Sequence, residues 1–552
     1  MSEPSQTPRG HVPAEIDVVI VGAGFAGMYM LYRLRKLGLS AIVFEAATDV
    51  GGTWYWNRYP GARCDVESMQ YSFSFDPDLQ QEWQWSEVFS SQPEILRYAG
   101  HVADRYDLRR DIRFETRVES AVFNTEAQRW TIRTDRGDTV SARHSVMATG
   151  CLSTARMPDF PGIGTFQGKT YHTGWWPHEP VDFAGQRVAV IGTGSSAIQA
   201  IPVIAQQAAH VTVFQRTPNY SIPSRNGPMT LEYERSWKSV YPARRAEART
   251  TRNGILANPN DFSAMELPEE ERRHVYEQRW ASGGTTFMAA FNDLILNKAS
   301  NDTAAEFVRE KIRAIVKDPK TAELLAPKDY PIGTKRICVD TEYFETYNRP
   351  NVTLADVRSA PIEAITPKGV RQGGTEYEVD AIVFATGFDA MTGTLTRIDI
   401  RGRDGVTLAE KWAEGPKTYL GLMTAGFPNM FMITGPGSPS VLSNMMVSIE
   451  QHVDWVADCL SDLAKNGITC IEPTQAAEES WVAHVNEVAH KTLYPQAASW
   501  YMGANIPGKP RVFMPYIGGV GAYRRICDEV AAEGYRGFRL EGSQQREAVA
   551  AE

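Results

Sequence analysis

Asp17-Val-Val-Ile-Val-Gly22-Ala-Gly24-Phe-Ala26-Gly27 decides the fold of this chain. The run Asp17 to Val21 suits a buried parallel strand. It leads without a break into Gly-x-Gly-x-x-Gly, and the residues after it, Met28 to Leu37, read as a helix. In such a strand–turn–helix the first glycine permits the tight turn and the second lets a pyrophosphate approach the backbone. The third lets the helix pack close to the strand. The helix N-terminus then presents free N–H groups and the positive end of its dipole to an anion. A glycine loop used only for packing is the simpler reading, but it leaves Glu45 without a task. That acid ends the second strand, Ala41 to Phe44, where it is placed to accept the ribose 2′-OH of a dinucleotide.

A second unit repeats the pattern: Val188 to Ile191, then Gly192-Thr193-Gly194-Ser195-Ser196-Ala197, a helical run, and the strand Val211 to Phe214. Its end differs in kind. Where the first unit has Glu45, this one has Gln215-Arg216-Thr217. A carboxylate would repel a ribose 2′-phosphate, whereas a guanidinium binds it with paired, charge-assisted hydrogen bonds. The second site is therefore expected to take NADPH rather than NADH, against the simpler reading of a surface arginine. Gly51-Gly52-Thr53-Trp54 opens a second glycine turn soon after Glu45, and with it the first unit resembles the FAD site of two-dinucleotide flavoproteins. Two strand ends, Ala148-Thr149-Gly150 and Ala385-Thr386-Gly387, resemble those that mark crossings between the two domains in that flavoprotein class, and Thr434-Gly435-Pro436-Gly437 is a further turn suited to cover the flavin. The expected fold is α/β, with two Rossmann-like dinucleotide-binding domains and a helical insertion.

The totals agree with this frame. A chain of 552 residues is too long for one core. Its 43% apolar and 22% charged residues are those of an ordinary globular protein. The formal charge of −9 is spread along the chain without a basic patch, which argues against a nucleic-acid partner. The polar, Pro-containing start, Met1 to Glu15, is not expected to be a secretory or transit signal. The uncharged run Val18 to Tyr32 falls short of the ~20 residues a membrane span needs. Six scattered cysteines without a Cys-x-x-Cys pair argue against a disulfide framework, a metal site and a dithiol centre. A reduced, cytoplasmic setting and a monomer or weak homo-oligomer are the expectations.

Phe166-Gln-Gly-Lys-Thr-Tyr-His172-Thr-Gly-Trp-Trp176-Pro177 spells F-x-G-x-x-x-H-x-x-x-W-P, and Gly51 to Asp65 spells [A/G]-G-x-W-x-x-x-x-[F/Y]-P-[G/M]-x-x-x-D. With these two signatures the chain resembles the type I Baeyer–Villiger monooxygenases, closest to their phenylacetone and steroid monooxygenase subgroup. The resemblance implies an enzyme that uses FAD, NADPH and O2 to convert linear, aryl or cyclic ketones to esters or lactones through a flavin C4a-peroxide. Charge developing on oxygen calls for a fixed cation, and the family's arginine falls on Arg336 in Gly333-Thr334-Lys335-Arg336. Asp65 is implied to orient Arg336, and as a partnered aspartate to keep a low pKa. His172, in the linker before the NADPH strand, suits domain coupling better than proton transfer.

By the same resemblance FAD contacts fall on Gly22, Gly24, Ala26, Gly27, Glu45, Thr53, Trp54, Trp56, Asp65, Tyr71, Val118 and Met445. NADP contacts fall on Arg63, Gly192, Thr193, Gly194, Ser195, Ser196, Gln199, Arg216, Thr217, Lys335, Arg336 and Trp500. The substrate wall is implied to hold Val66, Leu152, Ile337, Ser440, Val441, Leu442 and Trp500, with Gln92, Pro93, Pro439 and Met445 beside them. An apolar lining of this kind suits hydrophobic ketones.

The chain is expected to return to each domain after leaving it. The FAD domain takes residues 1–150 and 388–552, the NADPH domain 151–220 and 332–387, and a helical insertion 221–331. Pro268-Glu-Glu-Glu-Arg272 predicts a helix start, and Thr303-x-x-Glu306 predicts a capping box for another. The tail beyond Leu540 is polar and predicts disorder. A flavin-containing heteroatom (S/N) monooxygenase is the main alternative, disfavoured by Trp176-Pro177 and Arg336. A disulfide reductase lacks its Cys-x-x-Cys, and a non-enzymatic redox sensor leaves Asp65 and Arg336 idle.

Overall fold

The computed structural model describes residues 12–542. The first unit is built on β1 (Glu15–Val21), α1 (Phe25–Lys36) and β2 (Ala41–Phe44). β1 lies parallel between β2 and the strand Thr139–Met147. Val118–Asn124, Arg129–Thr134 and Thr139–Met147 form an antiparallel meander beside it. Late in the chain Asp399–Arg401 and Met430–Met432 return to this sheet, pairing parallel with Val118–Asn124 and Thr139–Met147. The apolar residues of β1 are fully buried, as expected of a parallel strand covered on both faces.

The second unit has β3 (Arg187–Ile191), α2 (Ser195–Gln207) and β4 (His210–Gln215). Its five strands are all parallel, in the order Val352–Asp356, β4, β3, Ala381–Phe384, Lys169–His172. The strand Lys169–His172 thus places the signature histidine at the sheet's edge, beside the Ala385-Thr386-Gly387 strand end.

The insertion begins and ends on neighbouring strands, since Ser221–Pro223 pairs in parallel with Cys338–Asp340. It is not one bundle. Trp237 and Tyr241, from helices Leu231–Lys238 and Tyr241–Ala248, belong to the core of the first unit. Arg245 ties them there by donating to the carbonyls of Gln70 at 2.7 Å and Met69 at 3.0 Å. Tyr276, Trp280, Phe291 and Phe307 join the core of the second unit instead. The helix after Pro268 runs Glu269–Ser282. The capping box at Thr303 is a misreading: the helix runs Lys298–Ile315, and the Asn297 side chain caps it by accepting from Ala299 and Ser300. Thr303 lies mid-helix and turns its hydroxyl back to the Ser300 carbonyl at 2.7 Å. Glu306 pairs with Arg309 and Arg313.

Strand Phe538–Gly542 pairs antiparallel with Ile468–Pro473, so Glu541 and Gly542 are ordered partners rather than tail. Residues 543–552, like Met1 to His11 at the other end, lie outside the described residues. The longest uncharged stretch is Thr418 to Ile449, longer than Val18 to Tyr32. It folds as turns, the strand Met430–Met432 and the start of the helix α3 (Met445–Lys465). Among the described residues no helix is long and apolar enough to cross a membrane.

Candidate active site

One cavity of about 2000 Å³ runs between the two units and is lined by both glycine loops. At each loop the first glycine has a left-handed φ, +102° at Gly22 and +111° at Gly192. A Cβ there would stand 2.6 Å from the Ala148 carbonyl and 2.5 Å from the Ala385 carbonyl respectively, so both turns lean on an A-T-G strand end. Gly24 faces Gly52 across a gap that a side chain would close: a Cβ on Gly52 would come 2.9 Å from the Gly24 Cα. A Cβ on Gly194 would meet no protein atom within 4 Å. Both helix N-termini thus open onto backbone cradles of the kind a pyrophosphate needs. The residues present fit one dinucleotide in each unit.

The strand ends differ in charge. The buried Glu45 carboxylate accepts from the Ala23 N–H at 2.6 Å and the Ala47 N–H at 2.8 Å. Burial pushes its pKa up, and those N–H groups pull it back. Each carboxylate oxygen keeps a lone pair for a ribose hydroxyl. Arg216 is exposed and, among the described residues, makes no ion pair. Lys335 lies over the Tyr330 ring at 4.4 Å, and burial followed by repulsion from Arg216 lowers its pKa. Two cations that repel each other beside a nucleotide loop form a site for an anion.

Asp65 and Arg336 meet across 271 positions of sequence, the guanidinium donating to the carboxylate at 2.7 Å. Asp65 is buried at 6% side-chain exposure while Arg336 keeps 40%, so the guanidinium faces the cavity and the carboxylate stands behind it. Asp65 holds the Arg336 pKa above its ordinary value. The expected low pKa of Asp65 needs correction: burial pushes that carboxyl up, and Arg336 only offsets the effect. Gln199 on α2 also donates to Asp65, at 3.3 Å, and accepts from the Tyr59 hydroxyl at 2.9 Å. The pair is thereby held from both units.

Most of the sequence-selected residues line this one cavity. They include Ala26, Thr53, Trp54, Trp56, Tyr71, Val118 and Met445 on the first unit's side. Thr193, Ser195, Ser196 and Thr217 line it on the second, and Val66, Leu152, Ile337, Val441, Leu442 and Trp500 in between. Gly27 does not: a Cβ there would lie 1.9 Å from the Gly22 carbonyl, so its role is to let α1 close on the turn. Ser440 is fully buried behind the wall, with its hydroxyl 2.9 Å from the Cys151 sulfur. Gln92, Pro93 and Pro439 also sit outside the lining, and the Gln92 amide donates to the Trp54 carbonyl. Arg63 reaches the cavity but its guanidinium is engaged with Glu87 at 2.7 Å and the Phe89 carbonyl at 2.6 Å.

His172 is buried, accepts from the Gly174 N–H at Nδ1 (3.0 Å), and places Nε2 3.1 Å from the Arg156 carbonyl. Burial lowers its pKa. These contacts tie the linker to the Thr386 strand end, whose hydroxyl also bonds the Arg156 carbonyl at 2.8 Å. Ile255, Met288 and Phe291 of the insertion, and Tyr501 next to Trp500, line the cavity too. Their helical or loop context carried no signal that they would face it.

All six cysteines are free and buried, and burial pushes Cys64 and Cys338 up to about 12. A thiol in that state is inert. Two glycine loops at the ends of parallel strands around one cavity, with an ionic pair between them, define a protein built to hold two dinucleotides. The pyridine nucleotide-disulphide oxidoreductase family model matches residues 19–232, which covers this nucleotide frame. A Baeyer-Villiger monooxygenase of Pseudooceanicola batsensis is 43% identical, over 95% of this chain and 96% of that protein. Among solved structures, oxidized steroid monooxygenase bound to NADP is 55% identical with a TM-score of 0.92, covering 96% of this chain and 100% of that one. The OTEMO complex with FAD and NADP is 42% identical, TM-score 0.92, covering 95% and 99%. The chain belongs to the Baeyer–Villiger monooxygenases.

Proposed function

We propose that this protein oxidises hydrophobic ketones to esters or lactones with NADPH and O2, and that Arg336 and Asp65 carry the oxygen insertion. The observation that carries the reading is a charged guanidinium facing the cavity, backed by a buried carboxylate, at the meeting of the two nucleotide loops. When bound, FAD supplies the activation of dioxygen and NADPH supplies the electrons.

The chain's own residues do the rest. Glu45 receives the FAD ribose, and Arg216 with Lys335 receives the 2′-phosphate of NADPH. Arg336 presents N–H donors to the ketone oxygen, where negative charge develops as the new C–O bond forms. Preorganised charge costs no reorganisation at that moment and is usually the largest single stabilisation in such a site. Asp65 and Gln199 fix the guanidinium's direction. Val441, Leu442, Leu152 and Trp500 give an apolar wall that excludes water and receives the ketone's hydrocarbon part.

The test supplies the purified protein with NADPH, labelled dioxygen and a panel of linear, aryl and fused-ring ketones. Esters carrying one labelled oxygen atom are the expected product. Labelled sulfoxide from a thioether, with no ester from any ketone, would replace this reading with the heteroatom monooxygenase.

A further inference from the structure

Tyr501 is 2% exposed and borders the cavity. Its ring is held by Trp500 at 4.2 Å and Tyr494 at 5.8 Å between centroids. Its backbone carbonyl accepts from Met514 at 2.9 Å. Among the described residues its hydroxyl makes no hydrogen bond. That oxygen is not enclosed by protein, so it opens onto the cavity, where its hydrogen bond is left to what the cavity holds. A phenol fixed by its ring yet left unbonded at a cavity wall is therefore placed for a ligand.

Which ligand follows from its surroundings. Tyr501 packs in one apolar cluster with Phe513 and Ile517, and Val441, Leu442 and Trp500 close it on the substrate side. Arg336 and Asp65 line the same cavity as Tyr501. A small acceptor that touches both the apolar wall and the Arg336 guanidinium is a carbonyl oxygen carried by a hydrocarbon.

We propose that the Tyr501 hydroxyl donates a hydrogen bond to the carbonyl oxygen of the bound ketone, giving that oxygen a second donor beside Arg336. The inference rests on the ketone reading of this site. With two donors converging from different elements, the carbonyl is held in one plane. Tyr501 then determines which alkyl group of an unsymmetrical ketone is aligned to migrate. Arg336 remains the charge-bearing group; Tyr501 is a neutral donor that binds and orients.

Tyr501→Phe keeps the ring contacts and removes only the hydroxyl. Retained FAD absorbance reports that the fold is intact. The expected result is a rise in the ketone dissociation constant of roughly three- to tenfold, read by titrating the oxidised, NADP+-bound enzyme. A matching fall in kcat/KM and a changed ratio of the two esters from an unsymmetrical ketone should accompany it. NADPH-driven flavin reduction and NADP+ binding should stay as in the parent. Unchanged ketone binding and ester ratio would overturn the proposal. A loss confined to flavin reduction or NADP+ affinity would overturn it too, since the phenol would then serve the nucleotide. If the parent enzyme itself forms no ester from any ketone, the underlying reading fails first and is seen to fail separately.

Discussion

The two nucleotide units use the same backbone device and opposite side-chain chemistry. In both, a left-handed glycine rests on an alanine carbonyl from an A-T-G strand end, and a long helix opens beyond it. Neither N-cap is a side chain: Gly24 and Gly194 leave the first N–H groups of α1 and α2 without a cap from the chain itself. The strand ends part company. Glu45 is buried and already accepts two backbone N–H groups, so it is locked in place before any ligand arrives. Arg216 is exposed, unpaired among the described residues and repelled by Lys335. One strand end is held by the chain itself, the other is left open to solvent.

The strongest way to break this comparison is to block each loop in turn. Gly22→Ala and Gly192→Ala both put a Cβ within 2.6 Å of a carbonyl and force a positive φ on an L-residue. Gly22→Ala should purify colourless. Gly192→Ala should purify yellow yet resist bleaching by NADPH. If both variants lose FAD, or both keep NADPH reduction, the units are not independent and the assignment of loops to cofactors falls.

Arg336→Ala tests what joins the units. Removing a preorganised cation from a developing oxyanion costs on the order of 10²- to 10³-fold in turnover. Ester formation should drop by that much while NADPH still reduces the flavin. Normal ester yield would remove Arg336 from the chemistry and leave it as an interdomain ion pair.

Acid should bear on the first unit in another way. His144, on the first unit's strand Thr139–Met147, is half-buried, its enclosed Nδ1 is without a hydrogen-bond partner among the described residues, and desolvation lowers its pKa to about 4. Arg143 and Arg129 push it down further, while Asp17 opposes them. A depressed histidine gives stability that is fully present above its unfolded value near 6.5. That stability is lost as pH falls towards 4, amounting to about 3 kcal/mol. Denaturant midpoints between pH 7 and 4.5 should therefore fall less steeply for His144→Leu than for the parent. Parallel slopes would show that His144 does not couple to folding.

The parts of this site that were legible in sequence share a cause. Gly22, Gly192, Glu45 and Arg216 are selected by backbone geometry or ligand charge, both local properties that a few residues express. Asp65 and Arg336 lie 271 positions apart and were found only because each ends or sits in a family pattern. What was not legible depends on facing. Gly27 and Ser440 stand beside lining residues and point away, whereas Ile255, Met288 and Phe291 belong to helical or loop stretches and point in. The insertion's division between two cores was hidden for the same reason. Helical spacing reveals that a face is apolar, not which neighbour covers it. The start of Lys298–Ile315 was missed because Asn297 and Thr303 are both plausible caps, and only the fold shows which one has free N–H groups ahead of it.

Arg216→Ala gives the finest test of the two-unit comparison because it alters one ligand group without touching the loop. The arginine is exposed and bonded to nothing in the described chain, so its removal leaves no buried partner stranded and should not change stability. Charge-assisted hydrogen bonds to a phosphate contribute about 1.5–3 kcal/mol, so KM for NADPH should rise roughly 10- to 100-fold. KM for NADH, which has no 2′-phosphate, should stay within about a factor of two. Raising ionic strength should narrow the gap between parent and variant, because an exposed guanidinium is screened by salt. Equal losses for the two nucleotides would mean that Arg216 contacts the part they share. The charge contrast between the two strand ends would then no longer explain the choice of cofactor, and Lys335, half-buried over the Tyr330 ring, would be the residue left to explain it.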